Sequence, residues 1–200
     1  MDLLVIGASA NGKSAYAEER CARLDGPLVY IATMEAYGEE GRARVERHRR
    51  LRAGRGFTTL ECPRNLGTVA SDPAVAGATV LLEGLGTLAA NELFDPSDEA
   101  SSSRYPVLAI SRILRGLREL DAAAGGLVVV TDDVFADGVA YPDGTEFYRE
   151  VLGAVNREAA AMAAEVVEVV SGTPVPCEVS GRAGAVWRQE GSAWGASCLR

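Results

Sequence analysis

A short apolar run that enters a glycine-rich turn and then a helix is the feature that most limits what this chain can fold into. Residues 3–6 are all apolar, and residues 7–14 read G-A-S-A-N-G-K-S. This spacing, G-x-x-x-x-G-K-S, is that of a phosphate-binding loop. Gly7 and Gly12 let the backbone curl so that successive N–H groups point at phosphate oxygens, and the start of the following helix adds partial positive charge there. The order of strand, loop and helix therefore predicts that the chain binds a nucleoside triphosphate.

Two side chains of this loop have predicted chemical roles. The Lys13 ammonium is expected to neutralise the β- and γ-phosphates, which makes it a candidate catalytic residue, and the Ser14 hydroxyl is a candidate ligand of Mg²⁺. The alternative is a chance glycine-rich turn after a strand, which would not need all three elements in this order. The predicted nucleotide-binding residues of the loop are Gly7, Ala8, Ser9, Ala10, Asn11, Gly12, Lys13 and Ser14.

Length, charge and cysteine spacing narrow the class of protein. Two hundred residues allow one domain with a central sheet, and a net charge of −8 argues against general binding to nucleic acid or to membrane surfaces. The four cysteines are widely separated and include no C-x-x-C pair, so neither a zinc site nor a disulfide framework is indicated. No segment approaches the ~20 apolar residues needed to cross a bilayer, and the acidic start is unlike a signal peptide. We therefore expect a cytoplasmic protein.

Apolar runs and helical periodicities alternate along the chain, which predicts an α/β fold. The first strand, the phosphate-loop helix and the second strand form one βαβ unit, in which the two strands are expected to pair in parallel. Residues 134–145 are expected to form a loop because glycine and proline punctuate them. Further strands are predicted at residues 28–33, 57–61, 79–83, 127–131 and 166–170, and further helices at residues 35–53, 87–94, 107–120 and 147–162.

Arginines are concentrated between residues 35 and 53, where acidic residues come first and basic residues follow, as suits a helix dipole. Arg44, His48 and Arg52 are spaced at i, i+4 and i+8 and so share one helical face. Arginine forks match phosphate oxygens, and surrounding arginines keep an imidazole neutral and able to attack phosphorus. His48 is therefore a candidate nucleophile within a phosphate clamp. The alternatives are a solvated arginine face and a surface or capping histidine.

Acidic residues close two of the predicted buried strands. Glu83 ends the strand at residues 79–83, where phosphate-loop proteins hold a carboxylate that orients Mg²⁺. The usual residue there is Asp, and a solvated Glu at the edge of the sheet is the alternative. Asp132 and Asp133 follow the strand at residues 127–131, at the edge where ligands bind in open α/β sheets.

The pattern R-[VI]-x-x-H-x-x-x-R, at residues 44–52, is the most specific of several segments that match one family. The other matching segments are residues 7–14, 30–33, 58–61, 81–83, 87–94, 129–131, 147–156 and 164–174. Together they resemble the bifunctional adenosylcobinamide kinase / adenosylcobinamide-phosphate guanylyltransferase family of cobalamin biosynthesis. The resemblance covers about residues 3–176.

The resemblance implies a fold, two reactions and an assembly. The fold is a RecA-like P-loop domain at residues 1–176, mostly parallel with helices on both faces and an antiparallel C-terminal addition, followed by a tail at residues 177–200. The enzyme phosphorylates the aminopropanol hydroxyl of adenosylcobinamide, using GTP or ATP with Mg²⁺. It then forms a guanylyl-histidine, releases pyrophosphate and passes GMP to the cobinamide phosphate, giving adenosylcobinamide-GDP. The assembly is a homotrimer.

The resemblance also assigns residues beyond the loop. The guanylylated histidine matches His48, and the implied nucleotide-binding positions are Ile31, Ala32, Thr33, Arg49, Arg50, Leu51, Arg52, Glu61 and Glu83. The chain departs from the family in its loop, where Ala10 replaces an arginine, and after the fifth strand, where residues 132–135 read Asp-Asp-Val-Phe in place of Asn-Glu-Val-Gly. Residues 141–144 read Tyr-Pro-Asp-Gly in place of Val-Pro-Glu-Asn, and the tail beyond residue 176 is unlike the short family ending. A divergent paralogue with one activity and a non-catalytic nucleotide-binding module are therefore the alternatives. No N-K-x-D motif is present, so the preference between GTP and ATP stays open.

Overall fold

The computed structural model describes residues 1–35, 39, 54–95, 106–135 and 141–179, which form a layered α/β structure. The strands in these ranges are β1 (Leu3–Ile6), β2 (Leu28–Ala32), β3 (Phe57–Glu61), β4 (Thr79–Glu83), β5 (Gly126–Val130), β6 (Glu165–Val170) and β7 (Thr173–Pro176). The helices are α1 (Lys13–Cys21), α2 (Gly67–Ala70), α3 (Leu85–Leu93), α4 (Pro106–Ala123) and α5 (Asp143–Met162).

The seven strands form one sheet in the order β3-β2-β4-β5-β1-β6-β7. Each neighbouring pair is parallel except β6 and β7, which are antiparallel, so the predicted mostly parallel sheet with an antiparallel C-terminal addition is confirmed. β7 falls within residues 171–176, which the sequence presents as a turn. It contains Pro174 and Pro176, and such residues are tolerated at the edge of a sheet.

The expected direct pairing of β1 with β2 is wrong, because β4 and β5 lie between them. Every residue of β5 is buried, as are the first four residues of β4. Strands this apolar are most stable in the centre of a sheet that is covered on both faces. Their position brings the carboxyl ends of β1, β5 and β4 side by side, which sets up the candidate site.

Alternate side chains of the strands pack into two separate cores. On one face, Ala17 and Cys21 of α1 pack against residues of β1, β4 and β5. The Arg20 guanidinium also pairs with both oxygens of Glu165 on β6, at 3.0 and 2.6 Å. On the other face, α2 to α5 cover a larger apolar core. Helices therefore lie on both faces, as predicted.

The helix boundaries differ from the sequence prediction mainly at α5. This helix begins at Asp143, within the predicted loop at residues 134–145. Pro142 precedes it, and Asp143 and Glu146 lie in its first turn, where negative charge favours a helix start. The turn-forming residues of this stretch therefore mark a helix start as well as a loop.

Several predicted segments lie wholly or largely outside the described residues. They include the helix predicted at residues 35–53, with His48, and the end of the tail, residues 180–200. Within the described ranges, none of the helices combines the length and the apolar character needed to cross a membrane.

Candidate nucleotide-binding site

The turn between β1 and α1 adopts a backbone conformation that depends on its glycines. Gly12 directly precedes α1 and has a φ angle of 95°, in the left-handed region. A Cβ atom on Gly7 would lie 2.6 Å from the carbonyl oxygen of Val169 on β6 and would also overlap the Asn11 side chain. Glycine is therefore required at both ends of the loop, as the motif predicts.

Both neighbours of β1 in the sheet hold this loop in place. The side-chain amide of Asn11 donates to the Val169 carbonyl, and the Gly172 N–H donates to the Asn11 carbonyl at 2.9 Å. From the end of β5, the Asp133 N–H donates to the Gly7 carbonyl at 3.1 Å. The loop is thus bonded to the β6–β7 hairpin on one side and to β5 on the other.

A cavity of about 280 Å³ lies between the loop and the carboxyl ends of the central strands. Eight residues predicted to bind the nucleotide line it: Ser9, Ala10, Lys13, Ser14, Ala32, Thr33, Glu61 and Glu83. Six further lining residues are not among the predicted nucleotide-binding residues, although the sequence places one of them, Asp132, at the ligand-binding edge of the sheet: Tyr30, Met34, Gly84, Thr87, Val130 and Asp132. Predicted residues at or after the ends of four strands thus lie around one cavity.

The Lys13 side chain is buried against the loop, with an exposed fraction of 7% for the residue. Its ammonium nitrogen donates to the Ala8 carbonyl at 2.7 Å and lies 3.1 Å from Oδ1 of Asp132. Lys13 is also the only lysine in the sequence. A compact positive charge is therefore held at the mouth of the loop, where an ammonium can bind phosphate oxygens.

Ser14 and Glu83 form the second polar centre of the cavity. The Ser14 hydroxyl donates to Oε1 of Glu83, and the Tyr30 hydroxyl donates to Oε2 at 2.8 Å. Glu83 is thus engaged within the site and is not a fully solvated residue at the edge of the sheet. A hydroxyl beside a carboxylate is a set of hard oxygen donors, which is the chemistry that Mg²⁺ prefers.

Hydrogen bonds around Thr33 join the ends of β2 and β4 to α3. The Thr33 hydroxyl donates to the carbonyls of Glu83 and Gly84, at 3.1 and 2.9 Å. A Cβ on Gly84 would lie 2.6 Å from the Thr33 Oγ1 atom, and Gly84 has a φ angle of 94°. The Asn91 side chain of α3 donates to the Thr33 carbonyl at 2.8 Å. This wall of the cavity is therefore held by side chains that bond to backbone carbonyls.

The carboxylate of Asp132 lies in a space that neighbouring residues leave for it. A Cβ on Gly86 would lie 2.7 Å from Asp132 Oδ2 and 3.0 Å from the Tyr148 hydroxyl oxygen. The pKa of Tyr148 is raised to about 12, first by burial and then by the negative charge of Asp132. The Tyr148 phenol is therefore neutral at ordinary pH.

Not every predicted residue lies at the cavity. Ile31 is fully buried in the core under α2 to α5, because the strand pleat turns it away from the face of Tyr30 and Ala32. Gly7 and Asn11 shape and anchor the loop and do not line the cavity. The predicted residues His48, Arg49, Arg50, Leu51 and Arg52 lie outside the described ranges.

Comparison with known proteins decides the family. The family model described as cobinamide kinase / cobinamide phosphate guanyltransferase, CobU, matches residues 3–177. This chain belongs to that family. The family predicted from the sequence, and its class of bifunctional transferase, are thereby confirmed.

Curated members of the CobU family align along nearly all of their length. The chain is 32% identical to the bifunctional adenosylcobalamin biosynthesis protein CobU of Salmonella typhimurium, over 88% of this chain and 98% of that protein. It is 31% identical to the CobU protein of Escherichia coli, with the same coverage. The bifunctional adenosylcobalamin biosynthesis protein CobP of Pseudomonas aeruginosa is 29% identical, over 86% of this chain and 95% of its own. A solved structure from Pyrococcus horikoshii OT3 is 9% identical to this chain, with a TM-score of 0.44. The match covers 88% of this chain and 84% of that chain, and the likeness is too distant to bear on function.

Proposed function

We propose that this chain phosphorylates the aminopropanol hydroxyl of adenosylcobinamide with GTP or ATP, and then transfers GMP from GTP to the product through a guanylyl-His48 intermediate. The observation that carries the proposal is geometric. The Lys13 ammonium, the Ser14 hydroxyl and the Glu83 carboxylate of a CobU family member converge on one cavity at the ends of β1 and β4. The bifunctional names of its relatives, which it matches over 95–98% of their length, support both reactions.

In the kinase reaction, the catalytic domain at residues 1–176 binds the triphosphate through the loop at residues 7–14. The N–H groups of the loop and the start of α1 face the phosphate oxygens. Lys13 neutralises the β- and γ-phosphates, and its burial strengthens this interaction because little water competes for the ammonium. Ala32, Thr33 and Glu61 complete the nucleotide site at the ends of β2 and β3.

Ser14 and Glu83 are the residues that would hold Mg²⁺ in this site. Their oxygens are already adjacent, and Tyr30 fixes the far oxygen of the carboxylate at 2.8 Å. When bound, the ion supplies positive charge to the β- and γ-phosphates. A hydroxyl and a carboxylate are both oxygen ligands of the kind that Mg²⁺ prefers, so Ser14 and Glu83 fit this ion.

In the guanylyl-transfer reaction, His48 is the nucleophile and the neighbouring residues 49–52 bind the nucleotide. The support for these roles is the spacing of Arg44, His48 and Arg52 together with family membership. A neutral imidazole attacks the α-phosphorus of GTP and pyrophosphate leaves. A phosphate oxygen of the cobinamide phosphate then attacks the same phosphorus, the bond to the His48 nitrogen breaks, and the free imidazole is restored.

Intact-mass measurement on wild type and His48→Ala tests the second reaction directly. With GTP and Mg²⁺, the wild-type protein should gain the mass of one GMP and release pyrophosphate. The His48→Ala protein should do neither, yet it should still phosphorylate adenosylcobinamide, because the kinase step does not use the imidazole. Tryptic mapping should place the wild-type adduct on the peptide that contains His48.

The same experiment separates the alternatives. A wild-type protein that phosphorylates adenosylcobinamide but never releases pyrophosphate would be a single-activity paralogue, and the guanylyltransferase proposal would fail. A protein that binds GTP without either reaction would be a nucleotide-binding module. Running GTP and ATP in parallel decides the nucleotide preference.

We also infer that the chain assembles as a homotrimer in the cytoplasm, as family resemblance implies. Light scattering after size-exclusion chromatography should give about three times the 21.0 kDa mass of one chain. A mass of one or two chains at micromolar concentration would contradict the trimer.

A further inference from the structure

The side chain of Asn91, on α3, joins the segments of chain that follow β2 and β3. Its amide nitrogen donates to the Thr33 carbonyl at 2.8 Å and to the Pro63 carbonyl at 3.0 Å. A carboxamide nitrogen carries two hydrogens, so these two bonds use both of them. Asn91 therefore ties the ends of two neighbouring strands to one helix.

α3 is a firm anchor for these bonds because its apolar face is packed into the larger core. Leu85, Leu88 and Leu93 of this helix are fully buried. Near the end of α3, the Asn91 carbonyl accepts a bond from Arg64 Nε at 2.9 Å. The last carbonyls of a helix have no partner within the helix, and here one of them has its partner in the segment after β3. α3 and that segment are thus joined by bonds in both directions.

The segments that Asn91 holds carry residues at the end of the cavity opposite the phosphate loop. Thr33 directly follows β2 and Glu61 ends β3, and both line the cavity. β3 lies four strand spacings from β1, which corresponds to about 19 Å. The phosphate loop is held by separate bonds, to β5 and to the β6–β7 hairpin. Different contacts therefore fix the two ends of the cavity.

The two ends of the cavity suit the two ends of a nucleotide. With the β- and γ-phosphates at the loop and Lys13, the base and the ribose extend towards the ends of β2 and β3. There the Glu61 carboxylate can accept bonds from N–H or O–H groups, and the Met34 side chain offers an apolar surface to a base. Such contacts require their groups to be held within about 0.5 Å of the productive position.

We propose that Asn91 is a positioning residue for the nucleoside part of the bound nucleotide, an inference that rests on the proposed use of GTP or ATP. Asn91 does not itself line the cavity, so it acts through Thr33 and Glu61. Loss of its two bonds frees the ends of β2 and β3 from α3, while the bonds that hold the phosphate loop remain. The contacts to base and ribose should then weaken, and those to the phosphates should not.

Isothermal titration calorimetry of Asn91→Ala with two ligands tests this separation. One ligand is α,β-methylene-GTP with Mg²⁺, whose α–β bridge His48 cannot break, so that binding is measured without reaction. The other is tripolyphosphate with Mg²⁺, which has the phosphate chain but no base or ribose. The Kd for the GTP analogue should rise roughly 5–30-fold, as for a residue that acts through its neighbours. The Kd for tripolyphosphate should stay within about twofold of wild type, as for independent sites.

Asn91→Asp tests the same bonds without a change in the size of the side chain. A carboxylate oxygen replaces the amide nitrogen and cannot donate to the carbonyls of Thr33 and Pro63. This variant should show the same rise in Kd for the GTP analogue and the same unchanged Kd for tripolyphosphate. It also supplies the test if the alanine variant does not fold.

Thr79→Val is the matched control for loss of a buried bond to a backbone carbonyl. Thr79 begins β4, is 1% exposed, and donates its hydroxyl to the Asp25 carbonyl at 2.7 Å. This contact lies at the amino ends of the strands, opposite the cavity. The control should have a lower Tm than wild type and yet bind both ligands as wild type does. A general loss of stability would therefore not reproduce the expected difference between the ligands.

Two outcomes would overturn the role of Asn91. One is a Kd for the GTP analogue within about twofold of wild type in a folded Asn91 variant. The other is an equal rise in the Kd for tripolyphosphate, which would show that Asn91 supports the whole cavity and not its nucleoside end.

Failure of the proposed function can be told apart from failure of this inference, because the titrations need no reaction. A wild type that neither phosphorylates adenosylcobinamide nor gains GMP would refute the proposed function, and the two Kd values would still decide about Asn91. A wild type that binds the GTP analogue no more tightly than tripolyphosphate would overturn the inference, since there would be no nucleoside contact for Asn91 to position.

Discussion

The two oxygens of the Glu83 carboxylate have different hydrogen-bond partners, and these partners indicate different roles for Glu83 and Tyr30. Oε1 accepts a bond from Ser14 at the phosphate loop, whereas Oε2 accepts one from Tyr30. Tyr30 is 4% exposed and packs in the core beneath α1, with the Phe57 ring edge-on at 6.1 Å. Tyr30 is therefore a positioning residue, and Glu83 is the one that would reach the metal.

Substitution of these two residues should change the Mg²⁺ requirement by different amounts. Glu83→Gln removes the negative charge, so the Mg²⁺ concentration for half-maximal kinase activity should rise roughly 10–100-fold. Tyr30→Phe removes one hydrogen bond to the carboxylate and should raise it by roughly tenfold, at the lower end of this range. Mg²⁺ titrations of kinase activity measure both shifts.

Glu168→Gln on β6 supplies the control for loss of a negative charge elsewhere in the protein. Its Mg²⁺ dependence should match that of the wild type. Identical titration curves for Glu83→Gln and wild type would refute the metal-binding role of Glu83.

At the scale of elements, the β6–β7 hairpin and the phosphate loop form one unit. The hairpin accepts the Asn11 side-chain bond at Val169 and donates the Gly172 N–H back to the loop. The loop is therefore shaped by a strand pair that comes far later in the chain. Removal of either contact should affect both the stability of the fold and the binding of nucleotide.

Asn11→Ala removes the side-chain half of this contact and leaves the Val169 carbonyl without that donor. The free energy of unfolding should fall by about 1–2 kcal/mol, which lowers the Tm of a domain of this size by roughly 2–8 °C. Nucleotide affinity should also weaken, because the loop loses its anchor. Thermal denaturation and nucleotide titration by calorimetry measure the two effects.

Ser9→Ala is the matched control for stability, since Ser9 is an exposed residue of the same loop. Its Tm should stay at the wild-type value. A wild-type Tm together with wild-type nucleotide affinity in Asn11→Ala would contradict the anchoring role.

Local patterns predict those elements whose chemistry lies within one stretch of chain. The loop at residues 7–14, the helix after it and the apolar strand β5 all follow from spacing and composition. The order of the strands does not, because it depends on which strands are apolar enough to occupy the centre of the sheet. The expected β1–β2 pairing fails for that reason.

The same distinction explains which site residues the sequence misses. Asp132 stands out as an acid after a buried strand, but its closeness to Lys13 requires knowing that β5 lies beside β1. The hydroxyl of Tyr30 reaches Glu83 only because β2 and β4 are neighbours in register. Each of these contacts joins distant parts of the chain, so no local pattern contains it.

For the molecule as a whole, the sheet separates two cores of unequal size. The smaller core, on the side of α1, contains Cys21, which is fully buried. Burial raises the pKa of the Cys21 thiol from 9.0 to about 12. Burial likewise raises the pKa of Cys62 in the larger core. Each core therefore contains a thiol that stays neutral at a pH where the same thiol ionises in the unfolded chain.

The protein should lose stability in alkaline solution because of Cys21. Below pH 9.0 the thiol is neutral in both states, so it has no effect on folding. Between 9.0 and about 12 the unfolded thiol ionises while the folded one does not, so unfolding is favoured as the pH rises. From about pH 8 to about pH 10.5 the loss from Cys21 is about 2 kcal/mol.

Urea denaturation of wild type and Cys21→Ala at the two pH values measures this loss. The wild type should lose about 2 kcal/mol more than the variant, since Cys62 and Tyr148 contribute equally to both. An equal loss in the two proteins would show that Cys21 does not titrate as its burial requires.

The solitary lysine has a practical consequence for handling the protein. Every residue in the count of lysine and arginine other than Lys13 is an arginine, so a reagent that couples to side-chain amines has one target, buried Lys13. Dye labelling, biotinylation or attachment to an activated resin through side-chain amines would thus act on the phosphate loop itself. Because such reagents also couple to the α-amine of the chain, the label on the peptide that contains Lys13, and not the total label, reports the open nucleotide sites.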